Sequence, residues 1–101
     1  MAFNIIAETK HQLDYPKIHQ EVYSDNLLFE LIPMPKLGVN GGDALGICIP
    51  LKNANETTWA QLKPLLKKLK SKFGCQVYDL YGGQKLTLFN IATFRSNLLL
   101  K

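Results

Sequence analysis

A chain of 101 residues, 47% hydrophobic with five Phe, four Tyr and one Trp, has the size of one domain and ample apolar material for a core. That excludes a disordered chain and makes metal or disulfide staples unnecessary. The net charge of +4 is uneven: eight of the twelve basic residues but only one acid, Asp79, follow residue 56, so residues 57–101 carry +7 and residues 1–56 carry −3.

In chain order, Phe3 to Glu8 is a short β-branched and aromatic run that predicts a first strand. Asp14-Tyr15-Pro16 marks a helix start, because Asp14 is a capping residue and proline is tolerated in a first turn. Tyr15, Ile18 and Val22 then recur on one face, and Ser24-Asp25-Asn26 ends this short helix. Leu27 to Met34 predicts a second strand, with Leu27, Phe29 and Leu31 on one face and Glu30 on the other. Pro33 and Pro35 cannot donate to a ladder, so this strand belongs at a sheet edge. Asn40-Gly41, within the loop from Gly38 to Gly46, signals a turn at positive φ. The loop has no phosphate-binding pattern and leads into a strand, so it reads as a connection. Leu45, Ile47, Ile49 and Leu51 alternate with Ala44, Gly46, Cys48 and Pro50, giving a third strand with large residues inward.

The long helix is expected from Glu56 to Phe73. Trp59, Leu62, Leu65, Leu66, Leu69 and Phe73 share an arc of about 120°, and all five lysines of the segment fall outside it. Pro64 lies on the polar side, where it bends a helix around the core, and Gly74 is placed to end it. Cys75 to Tyr81 predicts a fourth strand. For the tail, Gly82-Gly83 permits a hairpin strand. The preferred alternative is a C-terminal helix capped by Thr87, with Leu88, Ile91, Ala92, Leu98 and Leu99 on one face.

The order β-α-β-β-α-β plus a tail element predicts an α+β, ferredoxin-like antiparallel sheet with two helices on one face. A single compact domain over residues 1–101 is expected. No apolar run approaches the ~20 residues needed to cross a bilayer, and the N-terminus lacks the features of a secretory signal, so no membrane association and a cytoplasmic location are expected. Cys48 and Cys75 read as reduced core residues.

Catalytic chemistry is hard to assemble from these residues. His11 and His19 have no metal-ligand spacing with the cysteines, and no cofactor motif is present, so neither metal nor cofactor is expected. A Cys75 thiol with His19 as base would need the fold to bring them together. Glu8, Glu30 and Asp79 form no paired acid–base motif. Sheet-face RNA binding lacks its aromatic platform, since only Phe3 on the first strand would serve.

The expectation is therefore a small non-enzymatic protein-binding module, of the inhibitor or immunity and antitoxin type. Its partner is another protein with an acidic surface. The helical wheel divides the lysines: Lys63, Lys67 and Lys70 lie along one flank, Lys68 and Lys72 along the other. The first flank is the expected contact, with Tyr78, Asp79 and Tyr81 as a second, aromatic-acidic surface. Solvation of a core-packed helix is the plain alternative for the lysines. Nucleic-acid binding through the basic helix 59–73, a small enzyme without a motif, and a homodimer formed through the sheet face or an edge strand are also compatible with the sequence.

Overall fold

The computed structural model describes residues 2–21, 27–80, 83–87 and 90–99. Strand β1 (Ala2–Glu8) is followed by helix α1 (Tyr15–Glu21), β2 (Glu30–Met34), β3 (Ala44–Pro50), α2 (Glu56–Ser71), β4 (Gln76–Asp79), β5 (Gln84–Lys85) and α3 (Ile91–Leu99). The five strands form one antiparallel sheet in the order β2-β3-β1-β4-β5. Two short 3-10 turns, Val39–Gly41 and Leu51–Asn53, flank β3.

The sheet has one buried face, and strand alternation sets its composition. The register pairs Phe3 with Ile49, Ile5 with Ile47 and Ala7 with Leu45, and all six are buried. On the next strand Val77 pairs with Ala7 and Asp79 with Ile5, so both share that face. Ile18 of α1, the apolar stripe of α2, and Phe94 and Leu98 of α3 join these residues in a single hydrophobic cluster. The opposite face carries Ile6, Glu8, Ile32, Cys48 and Tyr78, all half-buried or exposed.

Side chains cap the starts of α1 and α2. The Asp14 carboxylate accepts the Lys17 N–H at 3.1 Å and caps α1. Asn55 caps α2 by accepting the Thr58 N–H at 3.0 Å, and Glu56 follows in the first turn, where the helix dipole favours an acid. Pro64 sits inside α2 on its exposed side, and the helix runs on past it to Ser71. Buried Trp59, Leu62, Leu65, Leu66 and Leu69 form the predicted stripe, while Phe73 lies beyond the helix and is half-buried.

The tail holds both of the alternatives open in the sequence. Gln84 and Lys85 pair with Asp79 and Tyr78 as a fifth strand, and a helix follows. That helix begins at Ile91, after a turn in which the Asn90 side chain accepts the Thr87 N–H at 2.8 Å and donates to the Lys85 carbonyl at 2.7 Å. Its buried side is built on Ile91, Phe94 and Leu98, whereas Ala92 is exposed; Leu88 lies outside the described residues. Phe94 packs edge-on to Phe3 at 6.4 Å between ring centroids and against Trp59 at 6.0 Å. Arg95 adds an ion pair to Glu56. The third helix therefore completes the core on the same side as α2 and leaves the other sheet face open.

The loop between β2 and β3 is fixed by a buried carboxylate. Asp43 accepts the Leu13 N–H at 2.7 Å through Oδ2 and the Lys36 N–H at 3.0 Å through Oδ1. These two backbone donors hold its carboxyl below the ordinary aspartate range. Backbone bonds continue the seam: Thr9 N–H to the Asp43 carbonyl at 3.0 Å, Val39 N–H to Thr9 at 3.1 Å and Asp43 N–H to His11 at 2.8 Å. Asn40 and Gly41 take the positive φ values, 51° and 83°, that their sequence implied. Tyr15 closes the same region by donating its hydroxyl to the Ala44 carbonyl at 2.8 Å. Burial, followed by the nearby Asp43 charge, raises its pKa.

Candidate functional site

The two lysine flanks of α2 have different surroundings. On one, Lys68 lies 3.0 Å from Glu21 at the end of α1, and Lys72 pairs with the same carboxylate. Hydrogen bonds from Lys72 and Lys68 lower the Glu21 pKa to about 2. These two lysines hold α1 against α2, which is a structural task.

On the other flank, Lys63, Lys67 and Lys70 make no ion pair among the described residues. They follow one another at intervals of four and three residues along α2, which places them on one edge of the helix. Between this edge and the start of α3 lies a pit of about 80 Å3. Leu66 forms its floor, Ile91 and Thr87 its far wall, and the three lysines its rim. Leu66 is almost fully buried and Ile91 half-buried, so the floor is apolar and rigidly held.

Such an arrangement separates two kinds of recognition. Exposed ammonium groups attract carboxylates over several ångströms and set orientation, while a small dry floor rewards insertion of an aliphatic group. Lysine stems also cover apolar surface with their methylenes, which extends the pit outward without adding polar groups. The pit wall is the part that the sequence pattern did not disclose. It depends on α3 lying beside α2, and neither helix alone encodes that. The only available signal was the Thr87–Ile91 spacing of the tail.

The second predicted surface does not assemble as expected. Tyr78 and Asp79 are neighbours on β4, so their side chains point to opposite faces. Tyr78 is half-buried on the open face and donates its hydroxyl to Gln76 at 2.8 Å. Asp79 is 5% exposed on the core face beside Ile5, so it is not a surface residue. Tyr81 lies outside the described residues. Glu8, by contrast, lies on the open sheet face.

Other chemistry is constrained in the same way. Phe3 is fully buried, which removes it as a base-stacking residue, and among the described residues Tyr78 is the aromatic of the open face. Burial raises the Cys75 thiol to about 11, so at neutral pH it is protonated and a poor nucleophile. No group of three or more His, Cys, Asp or Glu among the described residues is placed to hold a metal ion. No helix among them is long and apolar enough to cross a membrane.

No family model, curated protein or solved structure matches this chain.

Proposed function

We propose that this chain is a small non-enzymatic binding module that captures an acidic protein through the pit between α2 and α3. The observation that carries this reading is the coincidence of three lysines without ion pairs among the described residues with an apolar floor. The other two lysines of the helix, engaged with Glu21, mark what a structural lysine looks like in this molecule. The partner presents carboxylates around an aliphatic side chain. An immunity-type or inhibitory role is the specialisation in which such a module acts by occupying its partner. The order β2-β3-β1-β4, with α1 and α2 on the buried side, supports a ferredoxin-like split βαβ scaffold to which β5 and α3 are appended.

The test is fluorescence anisotropy with two labelled probes, an acidic peptide of interspersed Glu and Leu and a single-stranded oligonucleotide. Exposed ion pairs contribute about 0.5 kcal/mol each, so Lys63→Gln/Lys67→Gln/Lys70→Gln weakens peptide binding about tenfold with little change in melting temperature. A peptide of Glu alone binds more weakly than the mixed one, because the pit stays empty. Peptide affinity untouched by the triple substitution removes the proposal. Tighter binding of the oligonucleotide, with an affinity that falls steeply as salt rises, transfers the site to nucleic acid.

A further inference from the structure

A second cavity, sharing no residue with the lysine-rimmed pit, opens where the end of β1 meets the start of β4 and the loop leading into β3. We infer that this cleft binds a small zwitterion of the α-amino acid class. Its volume is about 400 Å3, inside the ~300–1,000 Å3 range of small-molecule sites. Unlike most such sites it is lined mainly by polar side chains: Glu8, Lys10, His11, Gln76 and Tyr78, with Val39 as an apolar wall. Such a lining suits a polar ligand, since an apolar one would displace water from these groups without replacing its hydrogen bonds.

The lining supplies two chemical poles, acceptors for a cation and donors for an anion. Glu8 is half-buried and makes no ion pair or side-chain hydrogen bond among the described residues, so it offers a carboxylate to a cation. Tyr78 gives its hydroxyl proton to Gln76 Oε1, which leaves the phenol oxygen as an acceptor on the same side chain. The same bond occupies the Gln76 carbonyl and leaves its NH2 group to donate. Lys10 and His11 add further donors, and Lys10 is in no ion pair among the described residues. The acceptors thus suit an ammonium group, and the donors suit a carboxylate. A molecule carrying both charges satisfies both poles at once, whereas a simple anion leaves Glu8 opposed and a simple cation leaves Lys10 opposed.

The cleft is also preformed. Its wall at Thr9–His11 is sewn to the 38–43 loop by the backbone bonds from Thr9, Val39 and Asp43, and the Asp43 carboxylate ties the loop to Leu13 and Lys36. Binding therefore needs little ordering of the backbone.

The experiment follows backbone amides by NMR while 15N-labelled protein is titrated with each of the twenty amino acids, and separately with acetate and with methylammonium. At least one amino acid is expected to shift the signals of Glu8, Lys10, Gln76 and Tyr78 saturably at millimolar concentration. Acetate and methylammonium, each meeting one pole, bind about tenfold more weakly, the loss expected for one charge-assisted contact. Glu8→Gln and Lys10→Gln each weaken the amino acid by a similar factor and leave signals of α2 and α3 in place. If one variant does not fold, Tyr78→Phe serves with the other, and its loss of affinity is smaller. The inference is overturned if no amino acid saturates these signals. It is equally overturned if acetate matches the best amino acid, or if the folded variants bind unchanged.

Discussion

Replacing Gly42 with alanine sets two effects of opposite sign against each other. The φ of Gly42 is −71°, a value open to any residue. On conformational grounds alone alanine would therefore restrict the unfolded chain and stabilise the protein by about 0.4–1 kcal/mol. The surroundings reverse the sign. A methyl group there would sit 2.5 Å from the Lys10 carbonyl carbon and 2.7 Å from its Cα, and closer still to the Thr9 carbonyl oxygen. These are backbone atoms held in place by the seam between residues 9–11 and 38–43, so they cannot rotate away as a side chain would. Overpacking costs about 1–3 kcal/mol, and displacing the loop also weakens backbone bonds worth about 1 kcal/mol each. The net loss is about 2–3 kcal/mol, which lowers the melting temperature of a domain this size by roughly 10–20 °C. Gly41→Ala is the control. It has open space around it but a φ of +83°, so it loses only about 1 kcal/mol. Thermal and urea unfolding of both variants decide the matter. A Gly42→Ala protein as stable as the parent, or less damaged than Gly41→Ala, would refute the close-approach argument and the rigidity ascribed to the cleft wall.

Phe94→Ala removes the ring that joins Phe3 to Trp59 and should cost about 3–5 kcal/mol by urea titration; a loss under about 1 kcal/mol would mean that α3 is peripheral. Glu21 and Asp43 both have folded pKa values below their unfolded ones. The Glu21 contribution is thus present above pH ~4.5 and fades as pH falls toward about 2, and that of Asp43 is likewise lost as pH falls below the ordinary aspartate range. The urea midpoint should drop across that window, and less so in Asp43→Asn, whose starting stability is lower; an equal drop would exclude Asp43 as a contributor. Native protein treated with a thiol reagent at pH 8 should be modified at half-buried Cys48 before Cys75, whose protonated, buried thiol reacts on unfolding. Equal rates would contradict the placement of Cys75 in the core.

Much of this architecture follows from periodicity. The alternation of Leu45, Ile47 and Ile49 and the arc from Trp59 to Leu69 both name their buried faces directly, because burial imposes periods of 2 and 3.6. Asp79 misled because an acid in a strand is ordinarily solvent-facing, while here its position is dictated by Val77, two residues earlier on the core side. The tail was ambiguous because it holds a two-residue strand, too short to show a period, and a nine-residue helix whose key apolar residue, Phe94, does not fit the stripe through Ala92. Both candidate sites were legible only in part. The lysine rim is visible in one helix, whereas the pit floor needs α3 and the cleft needs three separated segments, and such long-range pairings leave no mark on local sequence.

The sheet's two borders have a bearing on how any partner approaches. One border strand, β2, contains Pro33, which has no N–H to offer an incoming strand; the other, β5, is two residues long and carries Lys85. A visiting chain therefore finds no extended ladder to lengthen. Adding a strand at either border therefore gains few backbone hydrogen bonds, and templated self-addition at high concentration is disfavoured.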